Sequence, residues 1–187
     1  SFLGLRLANF RTHRKIVVVD GTVGFVGGLN IDDVHDARIV GESAWRDTCV
    51  RIEGDAVRGL QATFAQNWRY AAHESFSGKH YFPAPNKAGE LVVQIVAGAP
   101  DDVFALHKLH LAAISGAHQR ILLTTPYFLP DDALRDALVV AAMRGVDVHV
   151  LVPVDCDNAI ADAAMRTYYD DLVPMGVVIH EYEPRML

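Results

Sequence analysis

The stretch THRKIVVVDGTVGFVGGLN, residues 12–30, decides how the chain is read. Ile16 to Val19 is a run of β-formers, and Asp20-Gly21 is a favoured tight-turn pair. KIVVVDG and TVGFVGG therefore read as two strands joined at that turn. His13 and Lys15 are two apart, so on an extended strand both side chains point to one face. An imidazole and an ammonium are poor structural neighbours, because each raises the cost of charging the other. Around an anion the same pair makes sense: the lysine neutralises a phosphate oxygen while the imidazole attacks or protonates. Asp20 has the opposite parity and sits at the turn, where holding the turn fits it better than touching that phosphate. Gly27-Gly28-Leu29-Asn30 then sets backbone without side-chain bulk next to an amide. Glycine there allows close approach of a ligand, and Asn30 can donate a hydrogen bond to an oxyanion.

Outward from this stretch the chain divides at a change of rhythm. LGLRLANF, upstream, alternates as a strand does. Residues 31–44 are a polar, Asp- and Gly-bearing loop, and WRDTCVRIEG, residues 45–54, alternates again. Asp55 is placed to cap a helix running to about Ala72, with Val57, Leu60, Phe64 and Trp68 on one stripe. Residues 73–90 lack periodicity and hold prolines and glycines, which makes them the linker. Beyond it strand and helix alternate: LVVQIVAG, a helix capped by Asp101 or Asp102, RILLTTPYF, a helix ended by Gly145, VDVHVLVPV, a helix over about 158–175, and VVIHEY. Such alternation predicts an α/β layered fold with a largely parallel sheet in that half. The hairpin-like first half makes the sheet mixed.

Bulk properties narrow the chemistry. With 187 residues the chain can bury a real core, and 51% hydrophobic against 21% charged residues is a globular composition. The net charge is −6, so no basic face offers a general grip on nucleic acid, and none is expected as a partner. Phosphate chemistry must come from a few placed cations. Cys49 and Cys156 lack C-x-x-C spacing or a ligand cluster and read as small core residues of a reducing compartment. No apolar run approaches the roughly 18–20 residues of a membrane span, and the chain as given reads as soluble. No metal and no cofactor are expected. His107 and His110, at i, i+3, have metal-compatible spacing, but no third ligand stands near them and ordinary helix surface is the better reading.

The spacing H-x-K-x4-D-x6-G-G-x-N, read here as His13, Lys15, Asp20, Gly27, Gly28 and Asn30, resembles the signature of the phospholipase D superfamily. With WRDTCVRIEG and TTPYFLPDDAL the chain resembles the bacterial cardiolipin synthases along nearly its whole length. The resemblance implies α/β/α layers and a pseudo-twofold pair of halves whose two motifs meet at one active site. It implies that His13 is a nucleophile forming a covalent phosphohistidine, with Lys15, Asp20 and Asp47 as further catalytic residues. Lys15, Gly28 and Asn30 would receive the substrate phosphate, and Asp47 stands where relatives place the acid that orients the histidine. Asp32, Asp33 and Asp36 fit solvation or loop ordering instead. Thr125 and Tyr127, after a strand, are candidates to line the cleft. The implied substrate is phosphatidylglycerol, handled at the bacterial cytoplasmic membrane, with the membrane surface a partner of the full-length protein.

Only one such motif is present. Residues 1–80 read as the rear of a first half, 73–90 as the linker region and 91–187 as the front of a second half lacking its motif. That makes the chain a truncated pair, with the second half supplied in cis and little activity expected alone. A single-motif protein completing its site by homodimerisation is the other reading. For function, a superfamily hydrolase acting on lipid or nucleic acid and a degenerate, non-catalytic member are the alternatives to phosphatidyl transfer. Aromatic and basic residues at 73–82 fit either a membrane interface or a packed loop.

Overall fold

The computed structural model describes residues 13–84, 86–98 and 104–187. The segment LGLRLANF, Asp101 and Asp102 lie outside them. The described residues form two compact units, one built from 13–30 and 47–98, the other from 31–46 and 104–187.

In the first unit, β1 (Lys15–Val19), β2 (Val23–Gly27) and β3 (Cys49–Glu53) form an antiparallel sheet in that order. Asp20 and Gly21 adopt left-handed φ values of 53° and 66°, and the Thr22 amide donates to the Val19 carbonyl at 3.0 Å. Both central residues need φ > 0 in such a turn, which Asp and Gly tolerate best. Helix α1 (Val57–Ala72) lies under Gly24 through Val57 and Leu60, which are 0% and 2% exposed. The stripe is buried only in its first turns; Phe64 and Trp68 are 39% and 41% exposed.

Three expectations are corrected here. Asp55 does not cap α1: the cap position falls on Ala56, without a side-chain hydrogen bond, because the chain leaves Gly54 in a turn that places Asp55 one residue early. The strand expected over 45–54 pairs only from Cys49. LVVQIVAG, residues 91–98, is not in a ladder; Leu91 and Val92 are open to solvent, and Ile95 packs beside Gly59 of α1 instead. A short apolar run does not by itself separate a strand from a segment with one packed residue.

The second unit holds the alternating half. Its elements are α2 (Ala105–Ser115), β4 (Arg120–Thr124), α3 (Asp132–Met143), β5 (Asp147–Pro153), α4 (Ala159–Thr167) and β6 (Val178–Tyr182). β4, β5 and β6 form a parallel sheet in that order, with Ile121 opposite Val148 and Val150 opposite Ile179. Parallel strands need crossover helices, which is why the strict alternation predicted this arrangement. The α/β class therefore holds, with antiparallel and parallel strands in two separate ladders among the described residues. Val148, Val150 and Val152 bury one sheet face against Leu138, Ala141, Met165 and Leu172. Each large side chain so buried contributes roughly 1.5–3 kcal/mol. The opposite face carries Arg120, Leu122, His149 and His180 outward. Asp131 caps α3 through the Leu134 amide, and Asn158 caps α4 through those of Ile160 and Ala161. The helix expected over 158–175 breaks at Tyr168, and a single turn, Tyr169–Leu172, and a 3-10 turn, Val173–Met175, complete the span.

Candidate functional site

His13 and Lys15 stand side by side at the mouth of β1. The Lys15 Nζ lies 2.7 Å from His13 Nδ1 and 2.6 Å from Nε2, and it donates to the His13 carbonyl at 3.0 Å. The shared face follows from strand alternation, and the side chains' mutual contact adds to it. His13 is exposed and Lys15 half-buried, so an incoming anion can reach both.

The strand register explains the glycines. Lys15 faces Gly27 on β2, and Gly27 faces Cys49 on β3. These positions share one face of the sheet, and Gly27 leaves the middle of that row without a side chain. A Cβ at Gly27 would stand 2.5 Å from the Thr48 carbonyl oxygen and 2.8 Å from the Cys49 Cα, so β3 approaches too closely for any other residue. A Cβ at Gly28 would meet the Asp47 carboxylate, with Oδ1 at 2.7 Å. Asp47 thus leans over Gly28, where its Oδ1 accepts from the Thr48 amide at 2.6 Å. The backbone of β3 thus fills the space beside Gly27, and the Asp47 carboxylate that beside Gly28.

The structure places His13, Lys15, Gly28 and Asp47 at one end of this sheet; Asn30 is exposed, three residues beyond Gly27. It does not bring Asp20 to them. That residue occupies the turn at the far end of β1, five residues and about 16 Å from Lys15 along the strand direction. Among the described residues no hydrogen bond joins Asp47 to His13.

Thr125 and Tyr127 belong to the second unit, in the loop after β4. The Thr125 amide donates to the Leu151 carbonyl at 3.1 Å, and the Tyr127 hydroxyl donates to Asp157 Oδ1 at 2.5 Å. That hydrogen bond to a carboxylate, with burial second, raises the phenol to about 12, so Tyr127 stays protonated. Asp157 was not among the sequence candidates. Its signal was available: it follows the neighbouring parallel strand, at the C-terminal edge where α/β sheets place ligands. Desolvation raises the adjacent Cys156 thiol, so it is a poor nucleophile.

Other candidates are placed elsewhere. Asp32 and Asp36 each cap a short turn, accepting from the Val34 and Arg38 amides. His107 pairs with Asp131 at 2.7 Å and His110 Nδ1 lies 2.8 Å from the Leu106 carbonyl, so the two imidazoles have separate partners. Among the described residues no three His, Cys, Asp or Glu side chains converge as a metal needs. Phe76 packs between Phe64 and Tyr81, with ring centroids 6.0 and 4.6 Å apart, so the 73–82 stretch folds back onto α1. No helix among the described residues is long and apolar enough to cross a membrane.

Residues 110–187 match the family described as "Cardiolipin synthase, PLD-like domain". Over 182 residues the chain is 43% identical to the cardiolipin synthase of Geobacillus thermodenitrificans, covering 96% of this chain and 36% of that protein. It is equally similar to cardiolipin synthase 2 of Bacillus anthracis, with 96% and 35% covered. With a probable cardiolipin synthase of Bacillus subtilis it shares 39% identity over 94% of this chain and 35% of the relative. The chain thus spans about a third of the length of the curated relatives it matches.

Proposed function

We propose that the chain belongs with the cardiolipin synthases of the phospholipase D superfamily and that the protein is a phosphatidyltransferase joining two phosphatidylglycerol molecules. The observation that carries this reading is the His13–Lys15 pair, in mutual contact and open to solvent at the mouth of β1. With no anion present the ammonium donates to the imidazole. A phosphodiester reaching the exposed pair takes those protons instead, which frees a ring nitrogen and places it beside the phosphorus.

The chemistry then runs in two balanced steps. A His13 ring nitrogen attacks phosphorus; the N–P bond forms as the P–O bond to glycerol breaks, and an acid from the second half of the site protonates the departing alkoxide. The hydroxyl of a second phosphatidylglycerol, deprotonated by that same group, attacks phosphorus and releases His13. Lys15 and the Asn30 amide hold the phosphoryl oxygens as negative charge develops on them. Asp47, anchored by the Thr48 amide, holds its carboxylate over Gly28. Because the substrate is a bilayer lipid, the protein works at a membrane surface.

The test uses the protein in its natural length with phosphatidylglycerol labelled in the phosphate. Expected are free glycerol, diphosphatidylglycerol and acid-labile label on His13, all absent in His13→Ala. Phosphatidic acid as the sole product would move the assignment to a hydrolase; undiminished transfer by His13→Ala would refute it.

A further inference from the structure

We propose that Arg14 is the positioning residue that holds the His13–Lys15 pair in place; this rests on the phosphatidyl-transfer reading above. Arg14 lies between the two reactive side chains and has the opposite parity, so it points through the sheet to the α1 side. There its Nη1 donates to Asn67 Oδ1 at 3.1 Å and its Nη2 to the Gly98 carbonyl. A single half-buried guanidinium thus ties the mouth of β1 to the eleventh residue of a sixteen-residue helix and to the segment ending at Gly98.

The reason such a tie matters is in the ladder. Pairing of β1 with β2 starts at Lys15, so His13 precedes the first paired residue. Strand hydrogen bonds therefore hold the ammonium's backbone but not the imidazole's. Arg14 is the side chain that fixes the backbone between them. Its planar fork reaches two acceptors in different segments at once, which a lysine ammonium on a flexible stem does less well. Misplacement of a reacting group by about 1 Å can cost roughly a hundredfold in rate.

The experiment compares Arg14→Ala, Arg14→Lys, Asn67→Ala and the Arg14→Ala/Asn67→Ala double variant in the natural-length protein, with phosphatidylglycerol in mixed micelles. Arg14→Ala is expected to lower kcat and the rate of phosphohistidine formation together by roughly a hundredfold, leaving KM within about threefold. Arg14→Lys should recover at least tenfold of that loss. Asn67→Ala should fall in the same direction by less, and the double variant should be no worse than Arg14→Ala, since both act through one contact. Should Arg14→Ala fail to fold, the Asn67→Ala kcat decides. Unchanged kcat in either folded variant, or a loss in KM alone, overturns the positioning role. Failure of the transfer reading itself would look different: His13→Ala would keep its turnover.

Discussion

Adjacent glycines at 27 and 28 look alike in the sequence, yet alanine at each should do different damage. At Gly27 the new methyl would stand 2.5 Å from the Thr48 carbonyl oxygen and 2.8 Å from the Cys49 Cα, where ordinary contact begins at 3.4 Å. Both obstacles are backbone, so β3 must move by most of an ångström at the end of its ladder. Overpacking of this kind costs about 1–3 kcal/mol. For a chain of this size each kcal/mol is worth about 2–4 °C in Tm, so Gly27→Ala should unfold roughly 2–12 °C early. At Gly28 the obstacle is the Asp47 carboxylate, the end of a side chain that can rotate away. The cost is then limited to its hydrogen bond with the Thr48 amide, about 0.5–1.5 kcal/mol, but the carboxylate leaves the His13 end of the sheet. Gly28→Ala should therefore lose more activity than stability, and Gly27→Ala should also speed amide exchange in β3. Thermal unfolding by circular dichroism, hydrogen exchange and a transferase assay on both variants provide the measurements. A Gly27→Ala protein melting within about 1 °C of the parent, or a Gly28→Ala protein that is the less stable of the two, would refute the close-approach argument.

Leu138, 1% exposed at the centre of the second unit's core, should cost about 2–5 kcal/mol as Leu138→Ala in chemical denaturation. Tyr127 should ionise near pH 12 by tyrosinate absorbance, and Asp157→Asn should bring it back toward the ordinary 10.0. Since the folded value is the raised one, the stabilisation from this pair is present below pH 10.0 and fades as pH climbs to about 12. Asp147 is held below its ordinary 3.8, first by Arg120 and then by His149. Its contribution is therefore present above pH 3.8 and is lost as pH falls through the lower, folded value; in Arg120→Ala acid unfolding should begin at a higher pH.

The hairpin over 15–27, the parallel half and the shared face of His13 and Lys15 were all legible in the sequence, because each depends on local rules. Asp-Gly selects a turn, strict alternation of strands and helices selects crossovers, and a spacing of two selects a face. Local rules also left errors. LVVQIVAG has a strand's composition, but a strand exists only with a partner, and this segment packs against α1. Asp55 has a cap's identity and misses the position by one turn residue. What tertiary structure alone decided were the long-range meetings: Arg14 with Asn67, Asp47 with Gly28, and Tyr127 with Asp157. Each joins residues whose distance along the chain says nothing of their distance in space. The side chains proposed to do chemistry were therefore readable from spacing, while the contacts proposed to hold them in place emerged only when separate segments packed together.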